Sequence, residues 1–216
     1  MNLPLYDFII GVAFLTGLFT LFRSATPFHL RAFVIFLFIT FIIEIIGFYI
    51  QLRLHRNNTA IYNLFTVFEF SFYFYLLHEE VLNKKAKRII FYIGWAYALL
   101  ALINIFFIQG IKIFHTMTYS LGCFLIAAVC IYFFLELFQR PRSVNLTAQP
   151  AFWICSGLLF FYSCSFPLFA FANFVTKLPP IILKSLGYVL NLLNVLLYSS
   201  FTIAFLCRLK VRKSTS

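Results

Sequence analysis

Seven long apolar runs, separated by short charged or turn-rich segments, constrain this sequence more than any other feature. The hydrocarbon core of a bilayer is about 30 Å thick, and a helix of about 20 residues crosses it. The runs lie at about residues 5–22, 32–50, 60–77, 89–108, 116–138, 151–175 and 185–207. We therefore predict an all-α polytopic membrane protein. Its seven transmembrane helices form one bundle, and this single domain fills residues 1–216.

The composition excludes a water-soluble fold. Hydrophobic residues make up 63% of the chain and charged residues only 11%, whereas soluble domains carry about 25% charged residues. The net charge of +11 does not indicate nucleic-acid binding, because the basic residues fall between the apolar runs. In those positions they act as topology signals and contact anionic lipid headgroups.

The distribution of Lys and Arg between alternate loops predicts the orientation. Twelve basic residues fall on one side of the membrane and five on the other, and the richer side faces the cytoplasm. The N-terminus is then outside and the C-terminus inside. Residues 1–7 carry an acid and no base, and Arg23 follows the first apolar run, which is typical of a retained helix and not of a cleaved signal peptide. The two sets are Arg23, Arg31, Lys84, Lys85, Lys87, Arg88, Arg140, Arg142, Arg208, Lys210, Arg212 and Lys213, against Arg53, Arg56, Lys112, Lys177 and Lys184.

Polar side chains inside the spans predict where function is located, because they are costly in hydrocarbon unless they face the bundle interior. At 1.5 Å per residue, Glu44 is expected roughly 9 Å below the outer surface and Glu69 near the midplane. No Lys or Arg lies deep in a span, so these two acids are expected to be protonated or bound to a cation. The residues predicted to line an outward-facing polar pocket are Glu44, Tyr62, Asn63, Glu69, Asn104, His115, Tyr119, Asn173, Tyr188, Asn191, Asn194 and Tyr198. The alternative for any single asparagine is a hydrogen bond that only joins two helices.

Several other residues carry weaker expectations. Pro167 lies in the middle of the sixth run and predicts a kink, which is either a static bend or a hinge. His55 and His115 lie at the outer ends of spans and are expected to be interfacial, so no metal site is predicted. The cysteines lie in or at the ends of apolar runs, without the spacing of a zinc site, and are expected to be small buried thiols; they are Cys123, Cys130, Cys155, Cys164 and Cys207.

Known classes of seven-helix proteins with a cofactor are excluded or disfavoured. A retinal Schiff base needs a lysine deep in the last helix, but Lys184 lies at its outer mouth and the next base is Arg208. Seven-helix zinc hydrolases need aspartate and several histidines around the metal, but Asp7 is the only aspartate of the chain. The sequence also lacks a catalytic triad pattern, a zinc-protease motif and a phosphate-binding loop. We predict no cofactor and no enzymatic activity.

Short motifs in five of the spans resemble those of small seven-helix membrane proteins of Bacteroidetes. The second span contains EIIG, the third YNLF followed by EF, and the fourth INIFFIQG. The sixth contains FWICSGLLFFY and the seventh YVLNLLNVLLY. This resemblance implies the same architecture and a location in a bacterial inner membrane, and it implies no biochemical activity.

Three functions are compatible with these features. The first is a sensor-like module that binds a small molecule from the periplasmic side and acts through a separate cytoplasmic partner. The loop HEEVLNKKAKR and the tail RLKVRKSTS are the surfaces for such a partner. The second is a proton- or cation-coupled transporter or channel that uses Glu44 and Glu69. The third is a structural or assembly subunit whose polar network only fixes helix packing.

Overall fold

The protein is an all-α helical membrane bundle. A computed structural model describes residues 4–22, 26–55, 57–139, 146–172 and 180–210. The helices in these ranges are α1 (Leu5–Leu21), α2 (Phe28–Arg53), α3 (Thr59–Glu80), α4 (Lys84–Ile103), α5 (Thr116–Phe138), α6 (Pro150–Ala172) and α7 (Pro180–Lys210). Six of them are long and apolar enough to cross a membrane, and α1, with 17 residues, is a shorter apolar helix. This length lies at the lower limit for a span.

The helices extend beyond most of the apolar runs from which they were predicted. The second was expected to start at residue 32 but begins at Phe28, and the fourth was expected at residue 89 but begins at Lys84. At the start of α4, the side chain of Asn83 accepts hydrogen bonds from the backbone N–H groups of Lys85 and Ala86. Such a cap satisfies N–H groups that have no partner within the helix. The chain therefore stays helical through the polar interface.

One local departure from a regular α-helix lies at the end of the fourth span. The predicted fourth span ends in a π-helical turn, Asn104–Ile108, in which the N–H of Gln109 bonds to the carbonyl of Asn104 at 2.8 Å. The apolar pattern contains no sign of this turn. Pro167 lies inside α6, which continues to Ala172. The hinge at Pro167 stays a prediction. The last residues of the predicted sixth span, 173–175, lie outside the described residues.

Six of the helices form a closed ring in the described parts of the chain. Contacts join α1 to α2, α2 to α3, α3 to α5, α5 to α6, α6 to α7, and α7 back to α1. Helix α4 lies outside this ring, where it packs on α3 and less extensively on α5. The interior of the ring is therefore lined by α1, α2, α3, α5, α6 and α7.

Aromatic rings fill one half of the ring interior, the half that contains the start of α2 and the end of α7. Phe33 on α2 meets Phe201 on α7 edge to face, with ring centroids 4.8 Å apart. Phe36 stacks on Phe72 of α3 at 4.3 Å. Aromatic pairs of this kind contribute about 0.5–1.5 kcal/mol each beyond the area they bury. We call the set Phe33, Phe36, Phe72, Phe201 and Phe205 the aromatic plug, and its rings also pack against those of Tyr73 and Tyr198.

The five cysteines are free thiols within the bundle. Cys123, Cys130 and Cys155 are buried, as the sequence predicts, whereas Cys164 and Cys207 are partly buried.

Candidate functional site

Glu44 on α2 accepts two hydrogen bonds from tyrosines on other helices. The hydroxyl of Tyr62 on α3 donates to Oε2 at 2.8 Å, and the hydroxyl of Tyr6 on α1 donates to the same oxygen at 3.1 Å. Gly47, one turn along α2, makes room for this contact, since a Cβ at that position would lie 2.5 Å from the Tyr62 hydroxyl. The glycine of the EIIG motif therefore allows three helices to meet at one carboxyl.

A second acid, Asp7, lies beside Glu44. It is buried in the first turn of α1, and its Oδ1 has no hydrogen-bond partner. The Asp7 and Glu44 carboxyls lie close enough for their charges to interact. The sequence predictions did not place Tyr6 or Asp7 in the site. The sequence does contain a signal for Asp7, because it is an acid just inside an apolar run, where burying an ionisable side chain costs free energy.

Glu69 on α3 extends this group toward the aromatic plug. It lies two turns from Tyr62, and its charge interacts with that of Glu44. The hydroxyls of Tyr73 and Tyr162 also interact electrostatically with Glu69, and both are fully buried without a hydrogen-bond partner. We call the set Tyr6, Asp7, Glu44, Tyr62, Glu69 and Tyr73 the acid–tyrosine row.

The row carries acids without nearby basic side chains. The Lys and Arg residues that the structure describes lie at helix ends or between helices. Nowhere in the described ranges do three His, Cys, Asp or Glu side chains converge as they would around a metal ion. The three carboxyls of the row lie instead on three different helices, α1, α2 and α3.

A separate polar group joins α3 to the segment between α4 and α5. The side-chain amide of Asn63 donates to the carbonyls of Ile111 and Ile113, at 3.1 and 2.8 Å. Its oxygen accepts the backbone N–H of His115 at 3.3 Å. Asn63 is fully buried, so these bonds satisfy backbone groups that would otherwise be costly to bury.

His115, at the start of α5, continues this network. Its Nε2 lies 2.5 Å from the hydroxyl of Thr66, and its Nδ1 lies 2.8 Å from that of Thr118. The Thr66 hydroxyl also donates to the carbonyl of Asn63, and the Thr118 hydroxyl to the carbonyl of His115. Burial lowers the pKa of His115 to about 4, although two backbone hydrogen bonds oppose the shift. The imidazole is therefore neutral near pH 7.

Asn104 closes the network at the start of the π turn. Its amide donates to Gln109 at 2.7 Å and to Thr118 at 3.1 Å. We call the set Asn63, Thr66, Asn104, Gln109, His115 and Thr118 the amide–histidine clamp. The sequence predictions contained Asn63, Asn104 and His115. They did not place Thr66, Gln109 or Thr118 there.

The remaining predicted pocket residues are dispersed. Tyr198 is buried, and its hydroxyl interacts electrostatically with Glu69 and Glu44, so it faces the acid–tyrosine row. Tyr119 packs on Phe169, with ring centroids 4.4 Å apart. On α7, Asn194 donates to the carbonyl of Leu190 on its own helix, Asn191 is partly buried, and Tyr188 is 66% exposed. Asn173 lies outside the described residues.

Two cavities lie away from these residues. One, of about 430 Å³, lies between α3 and α4, and another, of about 200 Å³, lies between α4 and α5. None of the predicted pocket residues lines either cavity. The outward-facing ligand pocket therefore stays a prediction.

Comparison with protein-family models, with curated proteins and with solved structures gives no match for this chain.

Proposed function

We propose that this protein is a proton-coupled membrane carrier in which the acid–tyrosine row takes up protons from the side of the membrane where α1 begins. The observation that carries this proposal is the placement of Asp7, Glu44 and Glu69. These acids come from three helices, Glu44 interacts electrostatically with each of the other two, and the row contains no basic partner. A carboxyl inside a membrane bundle without a cationic partner is typical of a proton site.

The hydroxyls in the row support proton transfer between the carboxyls. Tyr6 and Tyr62 donate to the same oxygen of Glu44. A proton that reaches this carboxyl is therefore already connected by hydrogen bonds to α1 and α3. Deeper in the bundle, Glu69 lies beside the buried Tyr73 hydroxyl, which has no partner other than Glu69. A buried hydroxyl is costly unless it is hydrogen-bonded, so Tyr73 favours a position of the Glu69 carboxyl next to it.

The aromatic plug favours a carrier over a channel. The row extends from the first turn of α1 to Tyr73, and the interior beyond it is filled by the plug. A proton held at Glu69 can reach the other side only if the plug moves. A proton path that is open from one side and blocked toward the other is typical of alternating access, in which helices rearrange around a central site. Pro167 in α6 is the predicted position for such a rearrangement.

The amide–histidine clamp fits the structural role that the sequence also allowed. Its buried donors and acceptors are paired, and it ties the start of α5 to α3. We therefore assign coupling to the acid–tyrosine row and helix positioning to the clamp.

Reaction with a hydrophobic carbodiimide, which modifies protonated carboxyls in an apolar environment, tests the proton sites. We expect mass spectrometry to find modification of Glu44 and Glu69 that falls as the pH rises. In Tyr62→Phe and Glu44→Gln variants, carbodiimide modification of Glu69 should change more slowly after a pH jump. The reason is that these substitutions interrupt the hydrogen-bonded path from the membrane surface to Glu69. Unreactive carboxyls throughout the pH range would contradict the proposal.

Proton uptake by proteoliposomes tests whether the acid–tyrosine row passes protons across the membrane. With a pH-sensitive dye inside and a potassium diffusion potential applied with valinomycin, wild-type protein should acidify the lumen faster than Glu69→Gln. The variant Glu79→Gln serves as a control because Glu79 lies at the end of α3, outside the row, and is paired with His78. Equal rates for wild type and Glu69→Gln would contradict a role of Glu69 in moving protons.

A further inference from the structure

The cavity between α3 and α4 opens on the outer face of the bundle, away from the acid–tyrosine row. It is lined mainly by apolar side chains, among them Phe74, Ile90, Phe91 and Trp95. Trp95 is 67% exposed and Phe91 51% exposed, so both lie where the bundle meets lipid. The volume of about 430 Å³ falls within the range of pockets that bind small molecules.

One end of this groove is polar. His78 and Glu79, near the end of α3, line it there, and their side chains are 3.0 Å apart. Lys87 reaches the same end, where its ammonium group donates to the backbone carbonyl of Glu79 at 3.4 Å. Lys84 lies one turn before Lys87, on the stripe of α4 that continues to Phe91 and into the groove. The groove therefore combines an apolar body with a polar mouth, where Lys87 lies beside His78 and Glu79.

We propose that this α3–α4 groove binds an anionic phospholipid, with an acyl chain between Phe74 and Trp95 and the phosphate at Lys87. Charge favours this occupant, because the four bases at the start of α4 outnumber the two acids Glu79 and Glu80 at the end of α3. The bases are Lys84, Lys85, Lys87 and Arg88. Basic residues near the membrane surface attract anionic lipids with about 1 kcal/mol each. The groove is also open to the bilayer, so a lipid reaches it without leaving the membrane.

The backbone at the start of α4 does not bind the phosphate. Asn83 already accepts the N–H groups of Lys85 and Ala86, and Glu136 accepts those of Leu82 and Asn83. Recognition then depends on lysine side chains, so substitutions at Lys87 can test it while the helix cap stays intact.

Quenching of Trp95 fluorescence by brominated lipids tests the site directly. The chain has two tryptophans, so Trp153→Phe leaves Trp95 as the only one. This variant is reconstituted in phosphatidylcholine vesicles that contain increasing fractions of dibrominated phosphatidylglycerol or, in parallel, of dibrominated phosphatidylcholine. We expect the phosphatidylglycerol to quench at mole fractions about fivefold lower, which corresponds to one lysine at an anionic surface.

Two pairs of variants show where this preference arises. In the Trp153→Phe background, Lys87→Gln should remove most of the preference, whereas Lys85→Gln, with the same change of charge on another face of α4, should retain it. Ala98→Phe fills the apolar end of the groove and should also remove the preference. Ala96→Phe, an exposed position on the opposite face, should not.

Three outcomes would overturn the proposal. Equal quenching by the two lipids would mean that Trp95 contacts bulk lipid only. A preference that survives Lys87→Gln and disappears in Lys85→Gln would place the phosphate elsewhere on the helix. Weak quenching by both lipids would mean that protein, such as a second copy of this chain, covers the groove.

Discussion

The hydroxyl of Tyr62 lies 2.8 Å from a carboxyl oxygen of Glu44. This bond joins α2 to α3, and it depends on the absence of a side chain at Gly47, where a Cβ would come within 2.5 Å of the same hydroxyl. The bond therefore links a structural requirement of α2 to the geometry of the proposed proton site.

A methyl group at residue 47 should separate these two groups. We expect Gly47→Ala to lower the free energy of unfolding in mixed micelles by about 1–3 kcal/mol, because the Tyr62 ring has to move. Gly187→Ala is the matched control, since nothing lies within 4 Å of a Cβ at that position. There, alanine should stabilise the helix by up to about 1 kcal/mol. Destabilisation by both substitutions to the same extent would contradict this explanation.

Asn63 should be much more important for stability than Asn194. Asn63→Ala removes the donor from the carbonyls of Ile111 and Ile113 and the acceptor from the N–H of His115. Unpaired buried groups cost about 1–3 kcal/mol each, so we expect a loss of about 3 kcal/mol in unfolding free energy. Asn194→Ala should cost less than about 1 kcal/mol, because Asn194 bonds to a carbonyl of its own helix. Similar losses at the two positions would be inconsistent with the clamp.

Stability should fall in acid because of His115. Its pKa is about 4 in the folded protein and about 6.5 in an unfolded chain. Above pH 6.5 the imidazole is neutral in both states and its contribution is fully present. Between pH 6.5 and 4 the unfolded chain binds a proton that the folded protein does not, so up to about 3 kcal/mol of stability is lost. Below pH 4 the folded protein is also protonated, and this loss stops.

The unfolding midpoint in detergent, measured from pH 8 to pH 4, tests this dependence. His115→Gln should weaken the dependence on pH in this window. His55→Gln should leave it unchanged, because His55 is exposed at the end of α2. An identical pH profile for wild type and His115→Gln would show that other groups cause the acid sensitivity.

Glu136, on α5, should stabilise the short connection between α3 and α4. Its carboxylate accepts the N–H groups of Leu82 and Asn83, at 2.8 and 2.7 Å. Glu136→Gln keeps one acceptor oxygen but turns an amide donor toward an N–H group, and we expect a loss of about 1–3 kcal/mol. Glu136→Ala should cost at least as much. Hydrogen exchange of the Leu82 and Asn83 amides should accelerate in both variants, and unchanged exchange rates would argue against this role.

The sequence predicted the helices well because bilayer thickness sets the length of an apolar run. It predicted less well which polar residues meet, since this depends on the rotation of each helix about its axis. Glu44 and Tyr62 were both assigned to one pocket with Asn63 and His115, but the structure divides these residues between two groups. Tyr188 shares a helix with Tyr198 yet faces outward. The π turn at Asn104 changes the register of later residues, and hydrophobic periodicity does not reveal such a turn.

Helix α4 lies outside the ring and has a groove along each side, between α3 and α4 and between α4 and α5. Its place is therefore held by the acyl chains that press on it as well as by protein contacts. A change in bilayer thickness or lateral pressure will act on α4 before it reaches the closed ring. The position of α4 therefore depends on the composition of the surrounding lipid. A detergent that keeps the six-helix ring intact can still leave α4 displaced.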